Sequence, residues 1–183
     1  MISFDEEGGD GRFNLRAAGV CVRPSDGKVL LHRTVRDNFW SLPGGRCDFH
    51  EAAPATLARE MAEEIGVTGR VEVGRLLFVA ETFYSYLGRR FHEVGLYFLM
   101  AFPEDPWVYE QAAPFDGHEP SIRLIFAWMD PREGLEGRSL FPTFLRGALS
   151  DLPDAPRHIV HVEQAGVPGD PLPYRGVWGG APR

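Results

Sequence analysis

Acidic side chains are concentrated between residues 45 and 67. If this stretch is helical, Glu60, Glu63 and Glu64 project within one sector of about 100°, beside an apolar stripe. Like charges three and four residues apart repel, and partial burial disfavours the charged forms further. A divalent cation relieves that repulsion, because hard cations prefer oxygen ligands. The spacing therefore predicts a metal site on one face of a helix.

Three more residues of this stretch suit the support of such a site. Arg59 stands four residues before Glu63, which is the spacing of an ion pair on a helix. Gly45 lacks a side chain, so its backbone can approach a cation or a phosphate closely. Glu51 follows Gly45 by six residues, and we expect it either to brace the loop or to add another acid to the site.

The helix that must position these groups is predicted from about Ala53 to Ile65. Pro54 is tolerated in its first turn, where the missing N–H would be unbonded anyway, and Gly66 suits the left-handed position just past its end. No Ser, Thr, Asp or Asn stands close before Pro54, so we expect a weak N-terminal cap. Three apolar residues recur every four positions and define the buried stripe: Leu57, Met61 and Ile65.

Strand-like segments surround this helix in the sequence. Segments 15–23 and 28–34 are separated by Pro24-Ser25-Asp26-Gly27, whose turn chemistry predicts a hairpin. Strands interleaved with two helices indicate a mixed α/β or α+β domain. The remaining predicted elements are strands at 71–79, 91–102 and 122–129 and a last helix near 142–149.

The acidic stretch resembles the Nudix box at every position that the box specifies. In this sequence the pattern is Gly45-x5-Glu51-x7-Arg59-Glu60-Met61-x-Glu63-Glu64-x-Gly66-Val67. A chance match somewhere in a chain of this length has odds of roughly one in a million. The approach Phe39-Trp40-Ser41-Leu42-Pro43-Gly44-Gly45 is similar to the family's entry to this loop. The resemblance covers about Phe13 to Leu149.

The resemblance implies a Nudix hydrolase: an α/β/α sandwich around a mixed β-sheet, with a loop–helix–loop catalytic motif. The family hydrolyses nucleoside diphosphates linked to another moiety and uses Mg²⁺ or Mn²⁺. Metal-ligand positions then fall on Glu60 and Glu64. Glu63 and the Gly45 carbonyl are further candidates, and Arg59 would orient Glu63. Such metals clamp the pyrophosphate oxygens and lower the pKa of a water that attacks one phosphorus in line.

The general base is left open between the box and a loop outside it. Within the box the catalytic candidates are Glu63 and Glu64. Outside it the candidate is Glu119, in the glycine- and proline-bounded loop at 115–120. Glu81 and Glu93 are weaker candidates, because both lie in or near predicted strands.

Substrate contacts are predicted less sharply than the box. The arginines close enough in sequence to reach phosphates are Arg16, Arg36 and Arg46. Aromatic faces commonly stack on bases, and the candidates are Trp40 above all, with Phe39, Phe83, Tyr84 and Tyr86. The competing interpretation places Trp40 and Phe83 in the core. We expect His32 and His92 to make structural hydrogen bonds rather than to bind metal.

Composition excludes several other functions. The chain has 183 residues, which suffice for one well-cored domain, and a net charge of −7 disfavours stable binding of nucleic acid. No run approaches the ~20 apolar residues that span a bilayer. The N-terminus is acidic and glycine-rich, unlike a secretory signal, and the two cysteines form no disulfide framework. A cytoplasmic location is therefore expected.

Three regions are expected along the chain. Residues 1–12 are predicted to form a flexible N-terminal arm, residues 13–150 the Nudix domain, and residues 151–183 a partly extended tail. The tail has 6 Pro and 5 Gly in its 33 residues, which is more than a segment with its own core usually carries. Within it, the alternation at 158–162 predicts an added edge strand.

Two classes of function remain. One is metal-dependent hydrolysis of a pyrophosphate bond in a small nucleotide derivative, such as ADP-ribose, a nucleoside triphosphate, a dinucleoside polyphosphate or a nucleotide sugar. The alternative is a non-catalytic Nudix-fold module that binds or senses a nucleotide. Such a module is expected to lose acids of the box, and none is missing here. Because the family often dimerises, a homodimer is a further expectation.

Overall fold

The computed structural model describes residues 1–118, 122–133 and 137–163 of the chain. Within these ranges the strands are β1 (Ser3–Asp5), β2 (Gly11–Val20), β3 (Val29–Thr34), β4 (Phe39–Trp40), β5 (Gly44–Arg46), β6 (Glu72–Tyr86), β7 (Arg89–Ala101), β8 (Phe115–Asp116), β9 (Leu124–Met129), β10 (Ser139–Leu140) and β11 (Arg157–Val162). The helices are α1 (Ala53–Glu64) and α2 (Leu145–Ala148), and one 3₁₀ turn covers Pro106–Val108.

The principal sheet is mixed, as expected. Its strand order is β1-β2-β7-β6-β11, and β5 also pairs with β2. β2 runs parallel to β7 and β11 runs parallel to β6, whereas β6 and β7 form a long antiparallel hairpin. The antiparallel pairing of β5 with β2 sets Gly45 opposite Ala17. This register holds the glycine loop at the edge of the sheet, directly before α1.

The predicted hairpin forms, but its two strands then separate into different sheets. Gly27 has a φ of +72°, and Val22 and Val29 make an antiparallel bridge. Beyond that bridge β3 pairs with β9 in the three-stranded sheet β3-β9-β8, while β2 stays in the principal sheet. Both Leu30 and Leu31 are fully buried, so β3 lies between two layers.

Helix α1 confirms the prediction from the apolar stripe. Leu57, Met61 and Ile65 are fully buried. The N-cap Ala52 makes no side-chain cap hydrogen bond, and a proline stands in the first turn. Gly66 follows the helix with a φ of +82°, the left-handed conformation that favours glycine. The helix is therefore held by packing rather than by its N-terminal cap.

The two helices cover opposite faces of the principal sheet. Neighbouring side chains on a strand point to opposite faces. Ala17 packs in a cluster with Leu57 of α1, whereas Ala18 packs in a cluster with Leu145 of α2. The expected layered arrangement is thus present, with α2 reduced to a four-residue helix.

The folded unit extends beyond the predicted boundaries 13–150 at both ends. The arm predicted to be flexible contains β1, whose Ser3 and Asp5 pair with Asn14 and Arg12 of β2. Ion pairs of exposed side chains, such as Arg89 with Asp5 at 2.7 Å, add to this edge. The strand partner of β1 lies on β2, and the composition of residues 1–12 gives no sign of this pairing.

At the other end, the alternation predicted at 158–162 forms β11, which extends the principal sheet at β6. The rest of the predicted tail, residues 164–183, lies outside the described residues. Across the part of the chain that the structure describes, no helix is both long and apolar enough to cross a bilayer.

Candidate functional site

Arg59 is the centre of the site. Its Nε and Nη2 donate to the two carboxylate oxygens of Glu51 at 2.9 and 3.0 Å. This two-pronged arrangement is the strong form of an arginine–carboxylate pair. Its Nη1 donates to Glu60 Oε1 at 2.9 Å and to Glu63 Oε2 at 3.1 Å. The predicted pairing with Glu63 is present, and the same guanidinium also holds two further acids.

Glu51 braces the loop, which decides between the two roles left open for it. Its carboxylate also accepts from the Thr56 hydroxyl at 2.8 Å and from the Asp48 N–H at 3.2 Å. The hydrogen bonds from Arg59 lower the pKa of Glu51 to about 2, with Thr56 and Asp48 assisting and burial opposing. An ionised Glu51 therefore ties the loop after β5 to the first turns of α1.

Gly45 and Glu60 are packed against one another across the gap between β5 and α1. A Cβ on residue 45 would overlap the Glu60 carboxylate. The Glu60 side chain is only 16 % exposed. Because no side chain intervenes, the carboxylate lies directly against the loop backbone, where a cation or a phosphate could also approach.

Glu63 and Glu64 lie in different environments although they are neighbours in the sequence. The Glu63 side chain is 55 % exposed, whereas that of Glu64 is 11 % exposed. Glu64 Oε2 lies 3.7 Å from Nδ1 of the buried His32. Burial, with the nearby charge of Arg16, lowers the pKa of His32 to about 3, so the imidazole is uncharged. No pattern in the sequence signals this proximity.

The residues present fit a hard divalent cation in chemistry. Glu60 and Glu64 are largely buried carboxylates on one helix, and the Glu60 carboxylate lies directly against the backbone of Gly45. Carboxylate and carbonyl oxygens are the ligands that Mg²⁺ prefers. Within the described ranges, however, no group of three or more His, Cys, Asp or Glu residues is drawn together around one point. Arg59 instead occupies Glu60 and Glu63.

Two of the three predicted phosphate-binding arginines lie side by side. Arg16 and Arg46 are register partners across β2 and β5, next to Gly45. Arg16 Nη2 donates to the Leu42 carbonyl at 3.1 Å, which ties it to the entry of the glycine loop. Arg36 lies in the exposed loop between β3 and β4, and its backbone N–H donates to Thr34. No described contact connects Arg36 to the other two.

Trp40 does not serve as a stacking surface in this structure. It is 1 % exposed and packs in the core with residues such as Leu31 and Leu140. The competing interpretation, a core tryptophan, is what the structure shows. The Arg33 guanidinium lies over this ring, with Cζ 5.3 Å from the ring centroid.

The three candidate bases outside the box, Glu81, Glu93 and Glu119, lie in different parts of the chain. Glu119 lies outside the described residues, although the preceding His118 donates its N–H to the Glu64 carbonyl at 2.7 Å. Glu93 is buried and accepts from the Tyr84 hydroxyl at 3.2 Å. Glu81 Oε1 lies 2.9 Å from Nε2 of His158, which is a residue of the edge strand β11. Glu81 and Glu93 are thus engaged in contacts within the principal sheet.

The sequence of this chain is similar to those of known proteins of one family. The family model for the NUDIX domain matches residues 13–144. A MutT-like protein of Streptomyces ambofaciens is 41 % identical over 63 residues, covering 34 % of this chain and 39 % of the relative. Diphosphoinositol polyphosphate phosphohydrolase 2 of Rattus norvegicus is 38 % identical over 81 residues, covering 43 % of this chain and 42 % of the relative. The matched segment spans about two fifths of the length of these relatives.

The fold comparison extends over more of the chain. The crystal structure of a MutT NUDIX hydrolase from Burkholderia pseudomallei superposes with a TM-score of 0.53 at 23 % identity, covering 77 % of this chain and 98 % of that chain. The likeness to that structure shows a shared fold. The chain belongs to the NUDIX family, whose domain it contains at residues 13–144.

Proposed function

We propose that this protein is a divalent-metal-dependent hydrolase that cleaves a pyrophosphate bond in a small nucleoside diphosphate derivative. The observation that carries the proposal is the arrangement of the complete box, in which Arg59 gathers Glu51, Glu60 and Glu63 beside the Gly45 loop. The similarity to a diphosphoinositol polyphosphate phosphohydrolase supports phosphate-anhydride chemistry.

Glu60, Glu64 and the Gly45 carbonyl are the residues that would hold Mg²⁺ or Mn²⁺, with Glu63 as a further ligand. When bound, such a cation polarises phosphoryl oxygens and lowers the pKa of a bound water. Arg59 keeps Glu60 and Glu63 oriented, and the Glu51 brace keeps Arg59 in place. Arg16 and Arg46, adjacent on β2 and β5, would bind the phosphates of the substrate.

Proton transfer from the attacking water is assigned to Glu63 or Glu119. Glu63 is the most exposed acid of the box, so it can reach a water at the open side of the site. Glu119 stays a proposal from the sequence alone. The attacked phosphorus receives the water oxygen, and the other phosphate leaves with the bridging oxygen.

The substrate class, the location and the self-association of the protein are proposed from other observations. A net charge of −7 supports a small-molecule substrate over stable nucleic acid binding. The free thiols of the two buried cysteines support a cytoplasmic location. Self-association as a homodimer remains part of the proposal through the family resemblance.

The test is a screen for phosphate release with identification of the products. The purified chain is offered ADP-ribose, nucleoside di- and triphosphates, dinucleoside polyphosphates, nucleotide sugars and a diphosphoinositol polyphosphate, each with Mg²⁺ or Mn²⁺. We expect turnover of at least one compound, lost in Glu64→Gln and kept in Glu110→Gln, which alters an exposed acid far along the chain. Equal activity of wild type and Glu64→Gln would contradict the proposed site.

A binding module is the second candidate function, and one observation favours it. Arg59 already pairs with Glu60 and Glu63, as it could in a site built only for binding. This alternative predicts that the nucleotides above bind, as measured by calorimetry, with no product formed at any metal concentration. Metal-dependent product formation excludes it.

A further inference from the structure

His32 is the residue near the site whose side chain the proposed mechanism does not yet use. It lies on β3, outside the box, and is 7 % exposed. Its Nδ1 is buried and makes no hydrogen bond to any atom of the described residues. The Glu64 carboxylate lies beside it, with Oε2 3.7 Å from Nδ1. A buried nitrogen in this state needs an explanation.

The separation itself identifies what fits between the two atoms. A hydrogen bond from nitrogen to oxygen spans about 2.7–3.2 Å, so 3.7 Å is too long for one. A transition-metal ion binds imidazole nitrogen at about 2.1 Å and carboxylate oxygen at a similar distance, so two ligands of one ion lie at most ~4.2 Å apart. The gap between His32 and Glu64 therefore suits a shared cation better than a direct bond.

The imidazole is held in this position by several contacts. The backbone N–H and C=O of His32 both pair with Ser41, four residues before Gly45. The ring packs against Phe126 with the ring centroids 5.4 Å apart. Of the two ring nitrogens, Nδ1 is the one that lies beside the Glu64 carboxylate. A ring held by its own strand and by an aromatic neighbour is pre-organised to act as a metal ligand.

We propose that His32 Nδ1 and Glu64 hold the same divalent cation, which makes the metal site of this chain a mixed nitrogen and oxygen site. Imidazole favours first-row transition ions, whereas sites of carboxylate, carbonyl and water suit Mg²⁺. The chain therefore discriminates more strongly against Mg²⁺ than an all-oxygen box would. This inference rests on the proposed function, because it extends the metal site assigned there.

The test uses Mn²⁺ as a spectroscopic probe on the full chain. Pulsed electron paramagnetic resonance of the Mn²⁺-loaded protein detects a directly bound imidazole nitrogen, and ¹⁵N-histidine labelling identifies it. We expect a nitrogen coupling in the wild type that disappears in His32→Gln and persists in His158→Gln, an exposed histidine on β11. Mn²⁺ bound without any nitrogen coupling in the wild type would overturn the proposal.

A titration gives a second readout. We expect the dissociation constant for Mn²⁺ to rise about tenfold or more in His32→Gln, while that for Mg²⁺ changes less. Melting curves without metal establish whether His32→Gln is folded, and His32→Asn replaces it if it is not. Equal weakening of both metals contradicts a nitrogen ligand. Failure of the proposed function is distinct from this outcome: Glu64→Gln would then leave both Mn²⁺ binding and hydrolysis unchanged.

Discussion

At the scale of single residues, Arg59 explains how several acids coexist on one helix. A guanidinium has five N–H donors in a fixed plane, so it can serve three carboxylates at once. Here it makes a two-pronged pair with Glu51 and single bonds to Glu60 and Glu63. The acids are therefore placed by one cation of the chain before any metal is added.

Replacing Arg59 by lysine tests this geometry while it keeps the charge. An ammonium cannot form the two-pronged pair with Glu51 or reach three acids together, so Glu60 and Glu63 lose their orientation. We expect kcat/KM on the substrate from the screen to fall about 10- to 100-fold. Arg132→Lys, at a position 66 % exposed, is the matched control and should leave kcat/KM unchanged. Unchanged kinetics in Arg59→Lys would show that the network is not needed.

The Glu51 brace makes a prediction about acid stability. Its pKa is lowered from the ordinary 4.5 to about 2, chiefly by Arg59. A lowered pKa in the folded state adds stability above the unfolded pKa, and that stability is lost as the pH falls through the folded pKa. We expect the Tm of the wild type to fall more steeply than that of Glu51→Gln between about pH 5 and about pH 2.

The measurement is a thermal melt at a series of pH values. Above about pH 5 the Glu51→Gln protein should be the less stable, and the two curves should converge toward about pH 2. Glu110→Gln, which alters an exposed acid, should follow the wild type throughout. Parallel Tm profiles for the wild type and Glu51→Gln would show that ionised Glu51 does not contribute to the pH dependence of stability.

At the scale of elements, the site depends on how closely β5 approaches α1. β5 is held by its antiparallel pairing with β2. Helix α1 is held next to it, because Leu57 packs against Ala17 of β2. Glu60 fills the space where a side chain of residue 45 would be. A strand and a helix joined by a short loop therefore set the distance between the glycine loop and the acids.

A methyl group at residue 45 is the simplest test of that approach. In Gly45→Ala the added Cβ overlaps the Glu60 carboxylate, so the acid must move. Displacements of about 1 Å at a catalytic group cost about 100-fold in rate, and we expect a loss of that order. Gly147→Ala is the control, because a Cβ there meets nothing within 4 Å and alanine suits a helix. Full activity of Gly45→Ala would show that catalysis does not depend on the close approach of Glu60 to residue 45.

At the scale of the whole molecule, the protein carries an excess of acid that is partly gathered at one place. Its net charge is −7, and one guanidinium faces several carboxylates of the box. A ligand that binds the folded state alone stabilises it by mass action, by ~2.7 kcal/mol at 100 times its Kd. Metal binding to this cluster should therefore be visible in global unfolding.

The corresponding prediction is a rise in Tm with added metal. We expect Mn²⁺ or Mg²⁺ to raise the Tm of the wild type by several degrees and to raise that of Glu64→Gln much less. Differential scanning fluorimetry against a series of metal concentrations measures it, with Ca²⁺-free buffer and added chelator as the baseline. An equal rise in both proteins would point to binding outside the box.

The local parts of the fold were predictable from the sequence, because they depend on neighbours along the chain. The stripe of Leu57, Met61 and Ile65 follows from the helical repeat, and Gly27 and Gly66 mark turns that need a positive φ. The grouping of the acids follows from their spacing, and the family, which the matching NUDIX model shows, was indicated by the resemblance of these residues to the Nudix box. These features would be recognisable without any knowledge of which strands pair.

Other features were decided only by the tertiary structure. The burial of Trp40, the strand formed by the N-terminal arm and the closeness of His32 to Glu64 all join residues that are distant in the sequence. Side chains alternate between the faces of a strand, but sheet order decides what each face meets. Spacing therefore predicted which residues of the box would carry the chemistry, and the pairing of the strands decided which other residues lie near them.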